Sequence, residues 1–216
     1  MDKSYELEIK AGDISIHGSL SIPPDTSGIV IFAHGSGSGR FSPRNRFVAE
    51  KLNSRGLSTL LIDLLTEEEE IEDEVTREYR FNIDLLAGRL VYATHFIKTH
   101  PNTQDLPVGY FGASTGAAAA LLAVARLPKN VQAVVSRGGR PDLAGDALKD
   151  VEAPVLFVVG EEDREVIKLN EEAMNRMTNA KFTQLAIVPG ATHLFEEPGA
   201  LGQVASKASD WFLKYL

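Results

Sequence analysis

The stretch Gly112-Ala113-Ser114-Thr115-Gly116 is where the chain's chemistry concentrates. It has the form G-x-S-x-G and lies between an apolar run, Pro107 to Phe111, and an alanine-rich segment, Ser114 to Arg126. That context predicts a strand, a sharp turn and a helix. A serine on such a turn projects its hydroxyl from the end of a sheet. Two glycines remove side chains that would collide across the turn. The helix that follows directs its first N–H groups at any negative charge that develops there. These are the needs of nucleophilic attack on an acyl carbon. The plain alternative is a glycine-rich turn with Ser114 as a helix cap.

A serine hydroxyl needs a base, and the base needs an orienting acid. Gly160-Glu161-Glu162-Asp163 follows the apolar run Val155 to Val159, and Gly190-Ala191-Thr192-His193 follows Phe182 to Val188. The chain order Ser114, Asp163, His193 is one in which serine, acid and histidine triads occur. Both partners fall at the C-terminal ends of predicted strands, where open α/β sheets gather their sites. Glu161 and Glu162 could replace Asp163, and Asp142 is a further candidate acid.

His34-Gly35-Ser36-Gly37-Ser38-Gly39 follows the run Ile29 to Ala33. A dinucleotide loop is excluded, because Arg40 stands where the third glycine belongs, and no G-K-[ST] is present. The better reading is an oxyanion loop, in which the backbone N–H groups of Ser36 and Thr115 receive a substrate oxygen. His34 then orders the loop rather than acting as the base. In Ser136-Arg137-Gly138-Gly139-Arg140-Pro141-Asp142, Arg137 and Arg140 could grip a substrate carboxylate with their planar forks. They could equally pair with Asp142, Asp146 or the acidic stretch. That stretch, Glu67 to Glu74, holds seven carboxylates in eight positions. It reads as a solvated loop or helix start, with a mobile flap or cation site as the functional alternative.

The elements that must hold these residues follow from periodicity. Glu6 to Lys10 and Ile14 to Ile22 alternate as half-buried antiparallel strands do, with Gly12-Asp13 as their turn. A continuous apolar run, suited to a strand covered on both faces, then occurs at Ile29 to Ala33, Leu57 to Ile62 reads as the next buried strand, and Pro107 to Phe111, Val131 to Val135, Val155 to Val159 and Phe182 to Val188 read as further strands. Helices are predicted over Pro43 to Arg55, Tyr79 to His100, Ser114 to Arg126, Arg164 to Met177 and Ala200 to Tyr215. Alternating strands and helices imply one mostly parallel sheet of about eight strands with helices on both faces. Ser136 to Pro154 has room for one short helix, around Leu143 to Lys149, and none for a lid domain.

Composition narrows the partners. The 216 residues include no cysteine, which excludes a disulfide scaffold, a cysteine zinc site and a cysteine nucleophile. At about 150 residues per domain, one domain over 1–216 is the expectation. The 22 basic and 30 acidic side chains leave a net charge of −8, unsuited to general nucleic-acid binding or to acidic membranes. No apolar run approaches the ~18 residues of a membrane span, and the first ten residues lack the apolar core of a signal peptide. A cytoplasmic protein with a small-molecule partner is expected.

On its Gly112–Gly116 elbow, its His34-Gly35 loop and its Ser114, Asp163, His193 order, the sequence resembles the α/β-hydrolases. Within them it is similar to the dienelactone hydrolase-like group of small serine hydrolases, over essentially its whole length. The resemblance implies the α/β-hydrolase fold, a Ser-His-Asp triad, an acyl-enzyme intermediate, no cofactor and no metal. It also implies a small ester or lactone as substrate. One departure is plain: well-known dienelactone hydrolases carry a cysteine nucleophile, and this chain has Ser114 there.

Overall fold

A computed structural model describes residues 3–216. Strands β1 (Lys3–Ala11) and β2 (Ile14–Ile22) form a hairpin around Gly12, whose φ of 73° gives the left-handed turn. Then follow β3 (Gly28–Ala33), α1 (Pro43–Asn53), β4 (Leu57–Ile62), α2 (Glu67–Thr76), α3 (Ile83–Thr99), β5 (Val108–Ala113), α4 (Thr115–Arg126) and β6 (Val131–Arg137). The chain continues through β7 (Val155–Gly160), α5 (Arg164–Arg176), β8 (Thr183–Val188) and α6 (Ala200–Tyr215). The sheet order is β1-β2-β4-β3-β5-β6-β7-β8. Only β2 is reversed, pairing antiparallel with both β1 and β4; all other neighbouring pairs are parallel.

The central strands are covered on both faces. Every residue of β3, β4, β5 and β7 is buried. Ile31, Leu60, Tyr110 and Phe157 face a layer built largely from α3 and α4. Val30, Phe32, Phe111 and Val135 face α1 and α6 through Val48, Leu52, Val204 and Phe212. From β3 the chain passes to β4 on one side, then jumps back across β3 to β5. The C-terminal ends of β3 and β5 are therefore the switch point of the sheet, the crevice where α/β folds place ligands.

Two predicted helices differ from expectation. Tyr79 to His100 is broken at Asn82 (φ −78°, ψ 77°), because its side chain accepts the Leu85 N–H and caps α3 afresh. The segment around Leu143 to Lys149 is a pair of 3₁₀ turns within Pro141–Asp150, interrupted at Gly145 with φ 58°. It packs against α4 and α5 and inserts no lid.

The tightest constraint lies where α4 crosses the end of β3. A Cβ at Gly116 would sit 2.3 Å from the Ala33 carbonyl oxygen and 2.4 Å from that of His34. A Cβ at Gly112 would sit 2.4 Å from Ala117 Cα. Both clashes are with backbone, which cannot swing aside. Gly88, inside α3, meets nothing within 4 Å. Gly116→Ala should therefore destabilise by on the order of 1–3 kcal/mol or more. Gly88→Ala should stabilise by up to about 1 kcal/mol, through helix propensity alone. Urea unfolding of the two variants checks the opposite signs. A neutral Gly116→Ala would mean that the crossing is looser than described.

Candidate active site

Ser114 lies between β5 and α4 with φ 51° and ψ −121°, a conformation an L-residue holds only at a cost of order 1–3 kcal/mol. Its backbone is clamped from several sides. The Ser114 N–H donates to the Arg137 carbonyl at 3.2 Å, and its own carbonyl accepts from Ala117 N at 3.1 Å and Arg140 N at 3.1 Å. The strand–turn–helix context that marked the serine thus extends to the loop after β6, which grips the elbow through main-chain bonds that no sequence motif announces.

The oxyanion loop comes close to the same point. A Cβ at Gly35 would lie 3.1 Å from Ser114 Cβ. The hydroxyls of Ser36 and Thr115 share a hydrogen bond of 3.1 Å, which brings together the two residues whose N–H groups were expected to receive an oxygen. Thr115 opens α4, where helical N–H groups have no partner within the helix. His34 is buried beneath the loop. Its Nε2 accepts the Leu64 N–H at 2.9 Å, so its Nδ1 carries the hydrogen donated to the Gly35 carbonyl at 2.9 Å. That is the loop-ordering role, and burial holds the imidazole neutral by lowering its pKa. Asp63, at the end of β4, went unmarked in the sequence. It accepts the Arg40 N–H at 2.7 Å and pairs with the Arg40 guanidinium, fixing the far end of the loop. Its only signal was a carboxylate at a strand's C-terminal end.

Asp163 Oδ2 lies 2.6 Å from His193 Nδ1. Of the other candidate acids, Glu161 and Asp142 are engaged elsewhere. Glu161 accepts the Gly190 N–H at 2.8 Å, and Asp142 forms a two-pronged pair with Arg140 at 2.9 and 2.7 Å. Glu197 braces the histidine loop by accepting from the Thr192 N–H and hydroxyl. Gly138 passes beside the imidazole: a Cβ there would be 3.4 Å from His193 Cε1. The Arg137–Arg140 loop thus touches both Ser114 and His193. The His193 side chain remains 39% exposed, so the site opens to solvent.

The two arginines predicted to bind substrate are separated by the structure. Arg140 is taken up by Asp142, so a carboxylate would have to displace that pair. Arg137 is buried, and its Nε and Nη1 have no hydrogen-bond partner. The acidic stretch is a helix start, one of the two plain readings of its sequence. It is α2, started by a capping box between Thr66 and Glu69 and tied down by Glu69–Arg89 and Asp73–Arg80 pairs at 2.6 and 2.5 Å. Glu67, Glu70 and Glu74 face a cleft of about 630 Å³ that begins at Ser36 and Thr115. Burial and the neighbouring Asp63, Glu67 and Glu74 raise the pKa of Glu70. Among the described residues no cluster of His, Asp and Glu is arranged to hold a metal ion, and no helix is long and apolar enough to cross a membrane.

Residues 16–216 match the model of the dienelactone hydrolase family. The chain belongs to the dienelactone hydrolase family. A crystal structure of dienelactone hydrolase from Anabaena variabilis is 56% identical, covers 100% of this chain and 99% of its own, and superposes with a TM-score of 0.96. Est1E from Butyrivibrio proteoclasticus shares the fold at 17% identity, covering 97% of this chain and 98% of its own, with a TM-score of 0.78. A Mycobacterium tuberculosis protein named "Putative phosphoribosyl transferase" is 55% identical over 214 residues, which is 99% of this chain and 47% of that protein. The chain spans about half the length of the curated relatives it matches.

His34 yields a test of the loop. Because burial lowers its pKa below the ordinary 6.5, the folded protein binds this proton more weakly than the unfolded chain does. The resulting stability is complete above pH 6.5 and drains away as pH falls below it. Melting temperatures at pH 7.5 and 5.5 should therefore converge in His34→Gln relative to the parent protein. An unchanged difference would remove the buried neutral imidazole from the account.

Proposed function

We propose that this member of the family is a serine carboxylic-ester hydrolase that cleaves small esters or lactones through an acyl-enzyme. The observation that carries this reading is the strained Ser114 at the head of α4, set among the loops that hold the short His193–Asp163 bond. Family membership supports hydrolysis, and the structure of the Anabaena relative carries the name dienelactone hydrolase. The name of the mycobacterial relatives speaks of phosphoribosyl transfer. Those proteins are about twice as long, and the strained Ser114 and the His193–Asp163 bond support acyl chemistry for the half they share with this chain.

In this reading Ser114 Oγ forms a bond to the acyl carbon while His193 Nε2 takes its proton. Asp163 holds Nδ1–H in place and stabilises the imidazolium. The carbonyl oxygen, now negative, accepts from the N–H groups of Ser36 and Thr115. The ester C–O bond then breaks, and His193 protonates the departing alkoxide. A water molecule gives its proton to His193 and attacks the acyl carbon. The bond to Ser114 Oγ breaks, the serine recovers the proton, and the carboxylic acid leaves. The half-exposed His193 admits that water without a lid having to move.

Ser114→Ala should lower kcat for p-nitrophenyl acetate by roughly 10⁵–10⁶ and abolish labelling by a fluorophosphonate probe. Asp163→Asn should lose about 10⁴, because the imidazole loses its orienting acceptor. Asp142→Asn should stay within a few-fold of the parent protein. A panel of ester, thioester and amide substrates separates the esterase from a thioesterase, amidase or acyltransferase built on the same residues. Folded parent protein that neither turns over nor labels would be a binding protein on this fold. Activity surviving in Ser114→Ala would end the serine mechanism.

A further inference from the structure

The two edges of the sheet are built differently. β1 closes one side with four exposed charged side chains, Lys3, Glu6, Glu8 and Lys10. Charges of this kind keep an open strand from pairing with another chain. β8 closes the other side with the sequence Thr-Gln-Leu-Ala-Ile-Val, which has no charge, no proline and no glycine. Its inner edge pairs with β7 from Thr183 to Val188. Among the described residues no other strand or loop bonds to the main chain of Thr183 to Ile187, so the outer row of N–H and C=O groups is open.

Both faces of this open edge also carry apolar surface. Phe182 lies on the α6 side, where its ring stacks on Trp211 with centroids 6.0 Å apart. Strand alternation puts Ile187 on the opposite side, with half-buried Leu185. Phe182 is 48% exposed and Ile187 36%. The two ends of the strand carry opposite charges. Exposed Lys181 precedes it, and exposed Glu161 sits beyond its far end, where it accepts the Gly190 N–H at 2.8 Å.

We propose that β8 pairs antiparallel with β8 of a second copy of this chain, joining the two sheets into one continuous sheet. A two-fold axis perpendicular to the sheet keeps every residue on its own face, so the pairing must centre on a residue and not between two. Centred on Leu185, it uses residues 182 to 188. Leu185 meets its own symmetry mate, Thr183 lies opposite Ile187 of the partner subunit, and Phe182 opposite Val188 of the partner subunit. β-Branched, aliphatic and aromatic side chains in such cross-strand pairs stabilise a sheet. Lys181 then lies opposite Pro189 of the partner subunit, one residue from the glycine that Glu161 holds. The two-fold makes each of these contacts twice. A second copy is favoured over an unrelated extended peptide because this strand meets itself with mostly apolar pairs along its length and with opposite charges at its ends. The pairing does not depend on the hydrolase reading.

The test is sedimentation velocity and amide hydrogen exchange on the full chain over a range of concentrations, alongside Ile187→Lys and Lys181→Glu. The parent protein should sediment as a dimer, and the outward amides of 183 to 188 should gain protection as the concentration rises. Ile187→Lys places an ammonium group in the open edge of each copy and should weaken the dimer by about tenfold or more, because the symmetry counts the change twice. Lys181→Glu should weaken it several-fold, with the loss shrinking as salt is added. Exchange on the parent protein keeps the experiment decisive should Ile187→Lys fail to fold. A parent protein that stays monomeric at every concentration overturns the pairing. A dimer that Ile187→Lys leaves unchanged, or whose formation does not protect β8, overturns it too, since its interface then lies elsewhere. A dimer lost with Ile187→Lys but indifferent to Lys181→Glu overturns the register centred on Leu185.

Discussion

The site depends on one close crossing, that of the first turn of α4 over the end of β3. With Gly116 pressed against the Ala33 and His34 carbonyls, the chain leaving β5 must turn sharply to enter the helix. Ser114 takes up that turn in a strained backbone conformation. The same crossing brings the loop after β3 against the serine and sets the Ser36 hydroxyl beside that of Thr115. Strain at one residue persists only when its surroundings over-determine it. Here three main-chain hydrogen bonds and two buried layers of side chains do so.

Around that point each strand end contributes one part. The loop after β3 is held by a neutral buried His34 from below and by Asp63 from the side. The loop after β6 bonds to the serine backbone and passes the imidazole, while buried Asn170 of α5 donates to the Gly139 carbonyl at 3.0 Å. The turns after β7 and β8 are stitched together by Glu161 on Gly190 N and by Glu162 N on the Ala191 carbonyl. The 2.6 Å contact between Asp163 and His193 is thus the outcome of loop anchoring, and neither side chain is positioned by its own element alone.

The electrostatics divide the site in two. Four carboxylates of α2 line the cleft, only Asp73 of them paired, to Arg80, while Arg40 and Arg44 line it from the side of the loop after β3. Net charge says little about this, because at physiological salt fields beyond about 8 Å are screened.

Sequence by itself determined the order of strands and helices, the parallel sheet, and the identities of Ser114, Asp163 and His193 as residues at strand ends. These are local properties: apolar runs, helical spacing and glycines at turns. The elements at α3 and α6 were legible because their apolar faces repeat every three or four residues; the break at Asn82 was not, because one side chain's hydrogen bond to Leu85 N outweighed a continuous apolar pattern. Tertiary structure alone decided which acid meets His193, since Glu161, Asp142 and Asp163 are chemically equivalent until the backbone assigns each a partner. It also decided that Glu67 to Glu74 is a pinned helix, and that of four nearby arginines Arg40 and Arg140 are paired while Arg137 is buried without a partner. Pairing of charges depends on distances between residues far apart in the chain, and a sequence holds those distances only through the fold.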